Sequence, residues 1–126
     1  MTRYDAAILA LSFGVLSTCG TDPDPMHAEF VVDVESERFV ARVRDPETMT
    51  RFRDALAGRA SGFPAGPLLS GDGGFNAPWS WHIDPDEIRL VEAAIEVCDG
   101  TPSYVEAHLS DFPTYCPWGA RVVLER

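Results

Sequence analysis

Lysine is missing from this chain: all ten basic residues are arginine, set against twenty acidic ones, for a net charge of −10. That shortage of positive charge excludes a protein that coats DNA or RNA, which needs a basic surface. Long apolar runs are scarce, and the stretch Ala6–Leu16 is too short to span a bilayer as a helix. Cysteine is rare as well, with three in 126 residues. No Cys-x-x-Cys pair and no tight His/Cys cluster is present, so zinc lacks a ligand set. Ser80 sits in no nucleophile elbow, and Gly71–Gly74 is followed by neither the lysine nor the helix start of a phosphate loop. No cofactor or metal is expected. Hydrophobic residues make up 45% of the chain, including seven Phe, three Tyr and three Trp. This length and composition suit one packed domain.

Residues 1–18 read as a lipoprotein-type signal peptide. Arg3 charges its start, Ala6–Leu16 forms its apolar core, and Leu16-Ser17-Thr18-Cys19 resembles a bacterial lipobox with Cys19 as the lipidated residue. Thr18 and Asp5 depart from the usual pattern. Residues 19–26 carry Asp-Pro-Asp-Pro and read as a tether, because prolines lack donors and restrict their neighbours. The expected location is the bacterial cell envelope or the outside of the cell. With Cys19 lipidated, Cys98 and Cys116 remain, and in an oxidising compartment they form a disulfide. The alternatives are two free buried thiols or a metal site, the latter poorly supported by the cysteine spacing.

Residues 27–126 read as one α+β domain. His27–Val34 and Arg38–Arg44 alternate apolar and polar side chains, which predicts a hairpin, although its turn lacks Asn-Gly chemistry. Asp45, Pro46 and Glu47 open a helix whose stripe is Met49, Phe52 and Leu56, with Gly58 as its stop. A short strand is expected at Pro67–Ser70 and another at Trp79–Ile83. Glu87–Cys98 fits either a helix or strands, with strands favoured. Thr101 and Pro102 start a second helix that buries Tyr104, Val105, Leu109 and Phe112, and Arg121–Leu124 closes the chain as a strand. The order β-β-α-β-β-β-α-β predicts an antiparallel sheet with two helices packed on one face.

Two clusters invite a functional reading. Trp79 and Trp81 alternate onto one face, and Trp118 follows Cys116; with His82 and Asp84 they form a candidate binding patch for a protein, peptide or glycan. The alternative is a small envelope hydrolase in which His82 and Asp84 work as an acid/base pair. Charge is uneven: residues 42–59 carry five Arg, whereas residues 84–99 carry six acids against Arg89 alone.

The runs Asn76-Ala77-Pro78-Trp79-Ser80-Trp81-His82-Ile83-Asp84-Pro85-Asp86, Ala94–Asp99, Tyr104-Val105-Glu106 and Cys116-Pro117-Trp118, in this order, carry a resemblance. Together they resemble a family of small secreted domains labelled calmodulin-binding, after a social-amoeba protein with this domain at its N-terminus. The resemblance implies a secreted binding domain over nearly all of the mature chain. The label does not carry over as a mechanism. Calmodulin targets are basic amphipathic helices, whereas here the Met49/Phe52/Leu56 stripe is needed by the core and the whole domain is acidic.

Overall fold

Alternation in the first two strands sets the centre of the molecule. The computed structural model describes residues 26–94 and 96–126; the expected leader, Cys19 and most of the tether lie outside them, as does Ile95. Strands β1 (Ala28–Val34) and β2 (Glu37–Val43) form the expected hairpin, in register from Ala28 opposite Val43 to Val34 opposite Glu37. Phe30, Val32, Val34, Phe39, Ala41 and Val43 all point into the core. The turn works without glycine: Glu35 and Ser36 both take positive φ, as the twist of a tight hairpin demands. Asp33 steadies it by accepting the Ser36 N–H. The closing strand β7 (Arg121–Glu125) pairs with the other edge of β1 through a bulge at Val31/Val32, giving the order β2-β1-β7.

Helix α1 (Pro46–Leu56) begins where its cap predicts, with Asp45 accepting both the N–H and the hydroxyl of Thr48. Met49 and Phe52 are buried, and the Phe52 ring lies 5.1 Å from Phe30. Arg53 reaches Glu125 with two hydrogen bonds, which ties the helix to β7.

The expected single sheet is divided in two. The second is organised around β3 (Phe63–Ser70), which is longer than the predicted Pro67–Ser70. Its residues pair in turn with β5 (Arg89–Val91), β6 (Thr114–Tyr115) and β4 (Trp81–Ile83). Pro64 and Pro67 hide this strand from a sequence reading. A proline is tolerated in a ladder where its missing N–H faces away from the partner, and β3 changes partner every two or three residues. Gly66 is required at the crossing, because a Cβ there would lie 2.8 Å from the Ile83 side chain and 3.2 Å from the Ile88 backbone.

Three further expectations are corrected. The strand predicted at Trp79–Ile83 starts only at Trp81; residues 71–80 are turns, and the Ala77–Pro78 peptide bond is cis. Glu87–Cys98 is strand only at Arg89–Val91 and otherwise irregular among the described residues. Helix α2 (Pro102–Ala107) stops early and passes into a single 3₁₀ turn, Leu109–Asp111. Val105 and Phe112 are buried as expected; Tyr104 stays outside because it stands about 100° round the helix from Val105, stacked on His108, and Leu109 because the helix has ended before it. The α+β class, the antiparallel pairing, the two helices and the disulfide are all found.

Candidate functional site

The tryptophans that look alike in sequence separate in space. Trp81, on β4, is 1% exposed and belongs to the core. Its ring centre lies 5.4 Å from Phe39 and 5.2 Å from Tyr115, so it packs the second sheet against β2 of the first. Trp79 is half-buried in the preceding turn and stacks on Trp81 at 6.2 Å. Its indole N–H donates to the Arg38 carbonyl at 2.9 Å. The expected common face is therefore replaced by a stack that runs from the core to the edge of β2.

Asn76 completes this arrangement, and sequence reading missed its role. It is fully buried, accepts the Val40 N–H at 2.7 Å and donates to the Trp81 carbonyl at 2.8 Å. One amide thus satisfies the open edge of β2 and the start of β4, and joins the two sheets. Val40 is buried although it shares the polar side of the strand with Arg38 and Arg42, and the neighbouring Phe75 is buried under the Arg42 guanidinium at 4.6 Å. The motif Asn76–Trp81 is a latch between sheets. The only early signal was Asn beside Pro in a run dense with Trp.

His82 and Asp84 serve the same frame. His82 is buried against Phe75, and its Nδ1 donates to the Gly71 carbonyl at 2.7 Å. A side chain at Gly73 would lie 2.8 Å from the imidazole, so the Gly71–Gly74 turn is shaped to receive that ring. Asp84 accepts the Asp86 N–H and closes the turn into β5. Among the described residues, His82 and Asp84 share no hydrogen bond, and no group of acidic, His and Cys side chains is placed to hold a metal.

Trp118 is different. Its side chain is 53% exposed and borders a cavity of about 330 Å³ with Phe63, Glu92, Ala93 and Ala94. The loop carrying it is fixed from three directions. Cys98 and Cys116 form the expected disulfide, with Cα atoms 5.1 Å apart. The Cys116 N–H donates to the Cys98 carbonyl, and the Trp118 N–H donates to Asp99. Beneath them Tyr115 donates its hydroxyl to the Gly100 carbonyl. Burial, and after it the charges of Asp99, Glu37 and Glu35, push the Tyr115 phenol far above its ordinary range, so it remains a donor at every physiological pH. By the chain-entropy argument a bridge of this span contributes about 3 kcal/mol.

On this frame sit Val97, 98% exposed, and Tyr104, 51% exposed and stacked on His108. Four of the seven large hydrophobic side chains exposed among the described residues are Val97, Tyr104, Leu109 and Trp118. All four fall between residues 90 and 120, a stretch with five acids and no arginine. Val97 and Tyr104 share one groove, whereas Trp118 and Leu109 border two others; exposed apolar groups beside a groove mark an interaction site more often than isolated ones do. No helix among the described residues is long and apolar enough to cross a membrane.

Neither a curated protein nor a solved structure matches the chain. A family model does, the one described as the BP-74 N-terminal domain, and it runs over residues 26–126, the length that carries both sheets, both helices and the disulfide. The chain belongs to the BP-74 N-terminal domain family, the calmodulin-binding-labelled group that its four motifs resemble.

Proposed function

We propose that this domain is an exported, lipid-anchored module that binds a partner at the bacterial cell envelope without catalysing a reaction. The observation that carries the reading is that Val97, Tyr104 and Trp118 stay exposed on segments tied by the Cys98–Cys116 disulfide and by Asp99, Val97 and Tyr104 at one groove and Trp118 at another. Family membership supports a binding domain. A disulfide belongs in an oxidising compartment, which supports export, and the leader pattern with Cys19 supplies the anchor. The hydrolase alternative loses its acid/base pair, since His82 is buried against Phe75 and shares no hydrogen bond with Asp84 among the described residues. Helix α1 keeps Met49 and Phe52 in the core, so α1 does not offer them as a calmodulin-type anchor.

Two measurements test the reading. Intact mass of the natively expressed membrane fraction is expected to begin at Cys19 with acyl chains attached, and to accept two alkyl groups only after reduction. A mass that retains Met1 with freely alkylated thiols would contradict export. In the same cells, a photo-crosslinking residue at position 118 is expected to trap a partner, and one at the exposed Thr50 of α1 is not. Equal trapping at both positions, or none at 118, removes the binding face.

A further inference from the structure

We infer that the partner taken up at this face is a cationic peptide segment carrying arginine or lysine beside an aliphatic or aromatic anchor; this rests on the binding-module reading above. A groove of about 440 Å³ opens there, lined by Val97, Asp99, Thr101, Tyr104, Asp111 and Phe112. That volume lies within the range of sites that accept small ligands or a few side chains. Tyr104 and Phe112 meet edge to face at 5.9 Å and give the groove apolar walls. Two carboxylates stand at those walls. Asp111 makes no side-chain hydrogen bond or ion pair among the described residues, and Asp99 spends one oxygen on the Trp118 N–H.

Charge selects among occupants. Between Leu90 and Ala120 the chain has Glu92, Glu96, Asp99, Glu106 and Asp111 and no arginine. Elsewhere most arginines are already paired: Arg42 and Arg126 with Glu29, Arg53 with Glu125, Arg38 with Asp33, Arg44 with Asp86. Among the described residues neither Asp99 nor Asp111 is in an ion pair, so the negative charge at the groove is unpaired. A purely apolar ligand would desolvate the carboxylates without replacing their lost water contacts. An acidic ligand or an anionic lipid surface would be repelled. A chain that sets a guanidinium or ammonium next to an apolar side chain meets both requirements at once, the cation at Asp99 and Asp111, the anchor between Val97, Tyr104 and Phe112.

The test is titration calorimetry of the full chain with a blocked peptide of alternating arginine and leucine. A glutamate–leucine peptide and a neutral glucan oligosaccharide run alongside. Heat is expected from the arginine peptide alone, with Kd rising severalfold as ionic strength goes from about 0.05 M to about 0.5 M. Asp111→Asn is expected to weaken it about threefold, the scale of one exposed ion pair, and Val97→Ser to weaken it without changing the salt dependence. Both positions are exposed, so neither substitution endangers the fold. No heat from the arginine peptide, equal heat from the glutamate peptide, heat from the oligosaccharide alone, or an unchanged Kd in Asp111→Asn overturns the inference. If position 118 still traps a partner in cells while the arginine peptide gives no heat, the binding-module reading stands and this partner chemistry falls. Absence of both results removes both.

Discussion

Replacing Trp81 with alanine is expected to cost about 3–5 kcal/mol of folding stability, the range for a large buried aromatic truncated in a core. The indole is 1% exposed and touches Phe39, Tyr115 and Trp79. Phe39 belongs to the first sheet and Tyr115 to the second, so the cavity opens at the seam between them. The seam has little other material with which to collapse, because the surrounding rings are themselves held by strand pairing. Trp81→Phe is expected to cost much less. It keeps most of the ring area, and it removes an indole N–H that is buried and makes no hydrogen bond in the structure. Urea unfolding of the two variants checks this. A loss under about 1 kcal/mol in Trp81→Ala would mean that the seam is not formed by this residue.

Asn76→Ala is expected to cost about 2–5 kcal/mol, although it removes only a small polar group. Two main-chain groups lose their partner at once: the Val40 N–H, 2.7 Å from Asn76 Oδ1, and the Trp81 carbonyl, 2.8 Å from Nδ2. Each unpaired buried group carries a penalty of about 1–3 kcal/mol. Asn76→Asp separates the two bonds, since it retains the acceptor for Val40 but has no donor for Trp81 and adds a buried charge. It is expected to be at least as damaging as alanine. Hydrogen exchange gives a local readout: the Val40 amide should lose its protection in Asn76→Ala while the β1–β2 ladder around Phe30 and Ala41 keeps it.

These two residues also show how far the sequence speaks. The parts settled by local chemistry were legible: the β1–β2 alternation and the Asp45–Pro46 and Thr101–Pro102 helix starts. Each depends on residues within a few positions of one another. The disulfide followed from counting cysteines against an expected compartment. Strand β3 was only half legible, because Phe63-Pro64-Ala65-Gly66-Pro67 carries the usual strand breakers and is a strand only through partners that arrive from distant segments. The candidate patch was mixed for the same reason. Trp79, Trp81 and Trp118 are one residue type with one propensity, and burial is decided by what folds over them. Asn76 places Trp81 inside and Trp79 along the β2 edge, whereas Asp99 and the Cys98–Cys116 bridge hold the Trp118 loop at the surface. Helix length had a similar effect. Ending α2 at Ala107 turns Leu109 from an expected core residue into an exposed one, and the helix buries Pro102 and Val105 rather than Tyr104.

The central claim is this division of labour, in which Trp79 and Trp81 hold the sheets together and Trp118 stands exposed outside the core. Its most direct test is urea unfolding of Trp118→Ala beside Trp81→Ala. The account predicts that Trp118→Ala stays within about 1 kcal/mol of the parent, as surface substitutions do, while Trp81→Ala loses several times that. Equal losses in the two variants would make Trp118 one more part of the core and leave the exposed face without its aromatic anchor.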